Sequence, residues 1–238
     1  MIVDFHSHIL PGADHGSRGC DVTAAQLAMM HAAGTDAVVA TPHFYPNLDT
    51  ISTFLERRAI CAERLLTIDR PATPTVYLGA EVLVCEGIEE MEGLERLAIE
   101  GTRVILLEMP FRHWSDRLLD AVTGIAERGL IPVLAHVDRY EKEDVLRLMR
   151  RGIRIQLNAE PLARLLGKRR LAPYLESRSL VALGSDLHGA KKKGYAHFLK
   201  MQKRLGARAG EIFSKTEELL AGATPIERIV TEKEVAYT

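Results

Sequence analysis

Seven short apolar runs alternate with helix-like segments along this chain, and six of them lead into His, Glu or Asp. Ile2 to Phe5 gives way to His6 and His8. Ala37 to Ala40 leads to His43, Val76 to Leu78 leads to Glu81, and Val104 to Leu107 ends on Glu108. Ile131 to Ala135 ends on His136, and Leu180 to Leu183 leads to Asp186 and His188, while the sixth run, Ile153 to Leu157, ends on Asn158. Nearly continuous apolar strands belong to parallel sheets covered by helices. Seven such units predict an α/β fold of the (β/α)7 barrel type, in one domain over residues 1–238. A doubly wound open sheet is the alternative, but no G-x-G-x-x-G follows the first strand, which speaks against a dinucleotide site. In a parallel barrel the C-terminal strand ends meet on one face, so side chains spread from residue 6 to residue 188 are expected to converge there.

The helices are read from apolar spacing and caps. Asp21 is expected as an N-cap, with Ala24, Leu27, Ala28 and His31 on one face before Gly34. A helix from Thr50 to Ile68 carries Ile51, Phe54, Leu55, Ile60 and Leu65 on its apolar stripe. Ile88 to Glu100 reads as helical or irregular, and Ser115 caps a helix running through Leu118, Leu119, Val122 and Ile125 to Gly129. Further helices are expected at Lys142 to Arg150 and in short pieces from Pro161 to Glu176. A final helical region has Phe198, Leu199, Gln202, Leu205, Ile212, Leu219 and Leu220 as core contacts.

Charge excludes several classes of partner. Lys plus Arg is 31 against 32 for Asp plus Glu, so nothing electrostatic favours nucleic acid or a membrane surface. No apolar run reaches the roughly 18 residues of a spanning helix, and Asp4, His6 and His8 interrupt any signal-peptide pattern at the start. Cys20, Cys61 and Cys85 are odd in number and lack C-x-x-C spacing, as expected for a reducing compartment, hence the cytoplasm. None of them begins a C-x5-R phosphate loop, so a cysteine nucleophile of that form is not available.

In extended backbone, residues two apart point to the same side, so His6 and His8 face one point. Together with His43, Glu81, Glu108, His136, Asp186, His188 and a first-loop Asp14 or His15, the set is too large for one tetrahedral zinc. It suits two or three divalent ions bridged by carboxylates, an arrangement that clamps the attacking and leaving oxygens of a phosphoryl displacement. A metal-free buried polar network is the bland reading, and desolvating so many ionisable groups weighs against it.

The motifs HSH, ATPH, GAE, LLEMP, PVLAHVDRY and LGSDLH resemble those of the polymerase-and-histidinol-phosphatase (PHP) superfamily, and their order is similar to the bacterial metal-dependent protein-tyrosine phosphatases of capsule and exopolysaccharide operons. The resemblance runs from residue 1 to about residue 222, with Ala135 to Tyr140 its most specific segment. It implies a distorted (β/α)7 barrel with a trinuclear centre, usually manganese, iron or zinc being alternatives. It implies ligands at His6, His8, His43, Glu81, Glu108, His136, Asp186 and His188, and a phosphate-binding role for Arg139, whose fork of donors suits phosphate oxygens. The mechanism implied is metal-assisted hydrolysis without a phosphoenzyme, the tyrosyl oxygen taking a proton from metal-bound water or from an imidazole such as His43.

Two departures stand out. The family's Asp-Asp-Gly is Asp14-His15-Gly16 here, and either residue is a candidate ligand. An arginine often found after the last ligand loop is replaced by Lys191, Lys192 and Lys193; Lys193 would bind phosphate as a point charge, or the run is a solvated helix start. Phe111 to Trp114 would flank an aryl phosphate or serve as a packed loop cover, and Lys168 to Arg170 would attract an acidic tail or stay solvated. The substrate implied is a tyrosine-phosphorylated autokinase of polysaccharide export. A small-molecule phosphomonoesterase such as a histidinol-phosphate phosphatase is the alternative, a non-catalytic regulatory domain a third, and homo-oligomerisation is left open.

Overall fold

The computed structural model describes residues 1–70, 74–190 and 192–229. Its strands are β1 (Val3–His8), β2 (Ala37–Ala40), β3 (His43–Phe44), β4 (Thr75–Leu78), β5 (Glu81–Leu83), β6 (Val104–Glu108), β7 (Ile131–Leu134), β8 (Arg154–Asn158), β9 (Leu180–Gly184) and β10 (Leu187–His188). They pair in parallel as two ladders, β10-β1-β2-β4 and β3-β5-β6-β7-β8-β9.

The two ladders are one ring. β2 resumes as β3 after Thr41-Pro42, β4 resumes as β5 after Gly79-Ala80, and β9 resumes as β10 after Ser185-Asp186. Counted as seven strands, three of them broken, every neighbour around the circle is paired, the last closing on the first through β10 and β1. The barrel of seven β/α units expected from the alternation, in the distorted form the resemblance implies, is therefore the fold. Each break lets the strand bend at the mouth, where His43 and Glu81 begin the second piece of their strands and Asp186 and His188 precede and end β10.

Helices α1 (Cys20–Ala32), α2 (Ile51–Leu66), α3 (Asp116–Glu127), α4 (Lys142–Arg150), α5 (Ala159–Ala163), α6 (Gly167–Arg170), α7 (Ala172–Leu175), α8 (Lys192–Leu205) and α9 (Ala207–Leu219) alternate with the strands. The region from Ile88 to Glu100 holds two 3-10 turns, Ile88–Glu90 and Leu94–Leu97. One apolar cluster unites Val3, Phe5, Ala37, Val39, Val104, Leu106, Val133 and Ala135 from strands around the ring, and so fills its interior; Leu220 joins it. The larger cluster lies between strands and helices. With both faces covered, β1, β2, β6 and β9 are buried throughout, which is why their sequences show no alternation.

Several helix expectations are corrected. Gly19, not Asp21, is the N-cap of α1; Asp21 sits in the first turn, where a carboxylate complements the helix dipole. The buried face of α1 is Thr23, Gln26, Leu27 and Met30, so Ala28 and His31 are exposed. On α2, Ile60 is 51% exposed while Arg58 is buried, because Arg58 finds partners in the barrel wall. Leu199 also faces outward beside buried Phe198. Ser115 caps α3 as expected, accepting from the Leu118 amide at 3.2 Å.

Candidate metal centre

Backbone irregularities, not regular strand geometry, aim the donors. Val3 and Phe5 face the ring interior, and so do His6 and His8; the parity changes at the register irregularity between Asp4 and Ser7, a β-bulge. His136 and Asp186 are the non-glycine residues with positive φ, at 31° and 51°, among the described residues. Such backbone is strained for a side chain with a Cβ, and it turns both residues into the mouth. Gly184 lies so close to β1 that a Cβ there would sit 2.6 Å from the His6 Cβ, and a Cβ on Gly16 would sit 2.2 Å from that of His8.

The donors meet around Glu81. Its Oε2 lies 3.1 Å from His6 Nε2, 3.2 Å from His8 Nε2 and 3.1 Å from His43 Nδ1, without hydrogen-bond geometry to any of them. Its Oε1 lies 2.8 Å from His136 Nε2. Glu108 approaches His136 Nε2 at 3.6 Å and His43 Nδ1 at 3.7 Å. Asp186 Oδ1 is 3.6 Å from His6 Nε2, 3.4 Å from His8 Nε2 and 3.4 Å from His188 Nδ1. Three overlapping triads, His6/His8/Glu81, His43/Glu81/Glu108 and His8/His43/His188, each have donor atoms within 4.8 Å of one another. His8 and His188 rings stack at 4.0 Å.

Electrostatics agree with a demand for cations. Burial opposes ionisation of Glu81, Asp14 and Asp186, but facing imidazoles, with Arg139 beside Asp186, outweigh it and hold all three well below the usual carboxylate range. Burial pushes Glu108 up to about 7, the Glu81 charge adding to it. His6 and His8 are raised despite burial, because Glu81, Asp186 and Asp14 surround them. Burial drives His43 down to about 3, leaving it neutral. The raised His6 and His8 offset the facing carboxylates, a role divalent ions would take over while satisfying the bare Glu81 Oε2 and the unpartnered Nδ1 of His43. The residues fit such a centre.

Every residue proposed as a ligand from sequence lies at this mouth. Asp14 is set back: its Oδ2 pairs with His8 Nδ1 at 2.7 Å and accepts from the His43 amide at 3.1 Å, and its Oδ1 accepts from the Gly16 amide at 2.8 Å. His15 is exposed, its ring 4.9 Å from that of His43 and 4.7 Å from that of His188. Arg139, in a 3-10 turn directly after His136, pairs with Asp186 Oδ2. Lys193 is exposed in the first turn of α8, and Lys191 lies outside the described residues. Lys168, Arg169 and Arg170 are exposed on α6, and Trp114 is buried as a loop cover.

Sequence reasoning missed two supporting residues. Gln156 Oε1 accepts from the His136 amide at 2.7 Å and lies 3.4 Å from His6 Nδ1, and its Nε2 donates to Asn158 Oδ1 at 3.0 Å. Asn158 Nδ2 donates to Asp186 Oδ2 at 3.1 Å. Both orient proposed ligands, and the available signal was the spacing of two amides on the sixth strand, the same i, i+2 spacing as His6 and His8.

Residues 2–220 match the family described as "Capsular polysaccharide synthesis, CpsB/CapC". The chain belongs to the CpsB/CapC family. It is 27% identical over 236 residues to the tyrosine-protein phosphatase YwqE of Bacillus subtilis, covering 92% of this chain and 91% of that relative. It is 24% identical over 207 residues to the tyrosine-protein phosphatase CpsB of Streptococcus pneumoniae, covering 79% and 83%. A crystal structure from work on YwqE and CpsB, described as unique metal-dependent tyrosine phosphatases, superposes with a TM-score of 0.76 over 93% of this chain and 95% of that one, at 24% identity. That likeness extends the CpsB/CapC assignment to the fold. No helix among the described residues is long and apolar enough to cross a membrane.

Proposed function

We propose that this chain is a metal-dependent protein-tyrosine phosphatase whose substrate is an autokinase of capsule or exopolysaccharide synthesis. The observation that carries the reading is the convergence of imidazole and carboxylate atoms on Glu81 beside Arg139. The family's place in capsular polysaccharide synthesis and the relatives' names support the substrate class. His6, His8, Glu81 and Asp186 would hold one divalent ion, Glu81, Glu108 and His136 a second, and His43 and His188, with His15 beside them, a third. Manganese is the first candidate, then iron or zinc. Such ions supply Lewis acidity and a nucleophilic water at neutral pH when bound.

The chain's own residues do the rest. Asp14 accepts the Nδ1 proton of His8 and so turns its Nε2 toward the ions, a positioning role that leaves His15, with His43 and His188, as the first-loop ligand candidate. Arg139 binds the substrate phosphate through its guanidinium fork and neutralises charge developing on the equatorial oxygens. Lys193 would add a point charge nearby. His43, held neutral, suits ligation better than protonating the leaving oxygen. A tyrosyl oxygen, with an ordinary pKa of about 10, needs less help in leaving than an alkoxide. Cys20, Cys61 and Cys85 are all free thiols, which suits a cytoplasmic location.

The test is turnover of a phosphotyrosine peptide against histidinol phosphate by the metal-loaded chain. The peptide is expected to be the better substrate by kcat/KM. Preference for histidinol phosphate would replace this reading with the small-molecule alternative.

A further inference from the structure

Two cavities open beside the donor cluster. One, of about 340 Å³, is bordered by His15, His43, Tyr45, Leu48 and Arg57, and its arginine is already paired with Asp49 at 2.5 Å. The other, of about 250 Å³, is bordered by Phe111, Arg112, Trp114, Arg139 and Tyr140. The second therefore contains the arginine assigned to phosphate. It also contains an exposed aromatic at the mouth: Phe111 is 67% exposed, with its ring 13° from parallel to His136 at 6.3 Å and 5.6 Å from Tyr140.

The loop that carries Phe111 is fixed on both sides. The Met109 amide donates to the Tyr140 hydroxyl at 3.0 Å, and the Trp114 indole donates to the Pro110 carbonyl at 3.1 Å. Trp114 meets Tyr140 edge-on at 5.0 Å, and Ser115 begins α3 at once. Burying Phe111 in the core would need that pinned loop to break. A scattered exposed apolar side chain needs no explanation. An exposed aromatic ring that lies nearly parallel to the His136 imidazole and borders the same cavity as Arg139 is placed to meet a planar group carried by a phosphate on that arginine.

We propose that Phe111, with Tyr140 beneath it, forms a subsite for the aromatic ring of an aryl phosphomonoester whose phosphate sits on Arg139. The inference rests on the metal-dependent phosphatase reading and adds the residue that selects aryl over alkyl esters. Ring–ring contact supplies the selectivity, because an alkyl phosphate reaches Arg139 equally well but leaves Phe111 facing water.

The test separates the subsite from catalysis by using probes that are not hydrolysed. Binding of phenylphosphonate and of methylphosphonate to the metal-loaded chain is measured by calorimetry, for wild type, Phe111→Ala and Phe111→Tyr, alongside turnover of phosphotyrosine. Phe111→Ala is expected to weaken phenylphosphonate about five- to tenfold and methylphosphonate less than twofold, with Phe111→Tyr restoring the preference. The same variant should raise KM for phosphotyrosine more than it lowers kcat. Equal weakening of both probes, or no change in either, overturns the subsite. Phenyl preference that depends on Phe111 in a chain that turns over no phosphotyrosine upholds the subsite and overturns the catalytic reading instead.

Discussion

Two buried charges flank the break between β4 and β5, and the chain treats them oppositely. Arg58, 4% exposed, donates to the Gly79 carbonyl at 2.9 Å and pairs with Glu100, so its demands are met within the protein. Two residues further on, Glu81 presents an oxygen to three imidazole nitrogens and hydrogen-bonds none of them. Buried charge alone does not mark a functional site. A satisfied buried charge holds the wall together, whereas an unsatisfied one beside other donors marks where a cation belongs.

Glu81→Gln gives the largest expected effect. It removes the oxygen shared by two triads, so bound metal should be lost and kcat/KM should fall roughly a thousandfold or more, read by elemental analysis and phosphotyrosine turnover. In the metal-free protein the thermal midpoint should fall by less than it does on removing Arg58, because the Gln amide oxygen can keep the bond to His136 Nε2 and Glu81 Oε2 has no hydrogen bond to lose. A stability loss comparable with removing Arg58 would erase the contrast.

Arg58→Met tests the other half. Glu100 is 36% exposed at its side chain and can turn to solvent, so the cost should lie near the low end for a broken buried pair, about 3 kcal/mol. That corresponds to a fall in thermal midpoint of roughly 6–12 °C for a chain of this size. Metal content should stay unchanged. Loss of metal would mean that Arg58, through the Gly79 carbonyl, also sets the position of Glu81.

The contrast also separates what the residues disclosed from what they withheld. The donors were legible because each apolar run breaks on a side chain that a core would exclude, and the parallel ring then brings those ends together. The strand breaks at Thr41-Pro42, Gly79-Ala80 and Ser185-Asp186 were not, since the apolar pattern continues up to them. The bulge before Ser7 and the left-handed backbone at His136 and Asp186 depend on neighbours that are distant in sequence. Asp14 against His15 could not be decided from residue type, because both bind divalent metals; the pairing of Asp14 with His8 Nδ1 is a tertiary fact. Helix faces failed at Ala28, His31 and Ile60, where the inward direction is set by the barrel wall and a polar residue, Gln26 or Arg58, takes the buried place.

The most direct test of the central claim is a metal titration of chelator-stripped protein, following phosphotyrosine hydrolysis and ions bound per chain together. Activity should be absent at the start and should rise only as two or three divalent ions bind to each chain. Full turnover in the stripped protein, or activity unrelated to the ions bound, would contradict it.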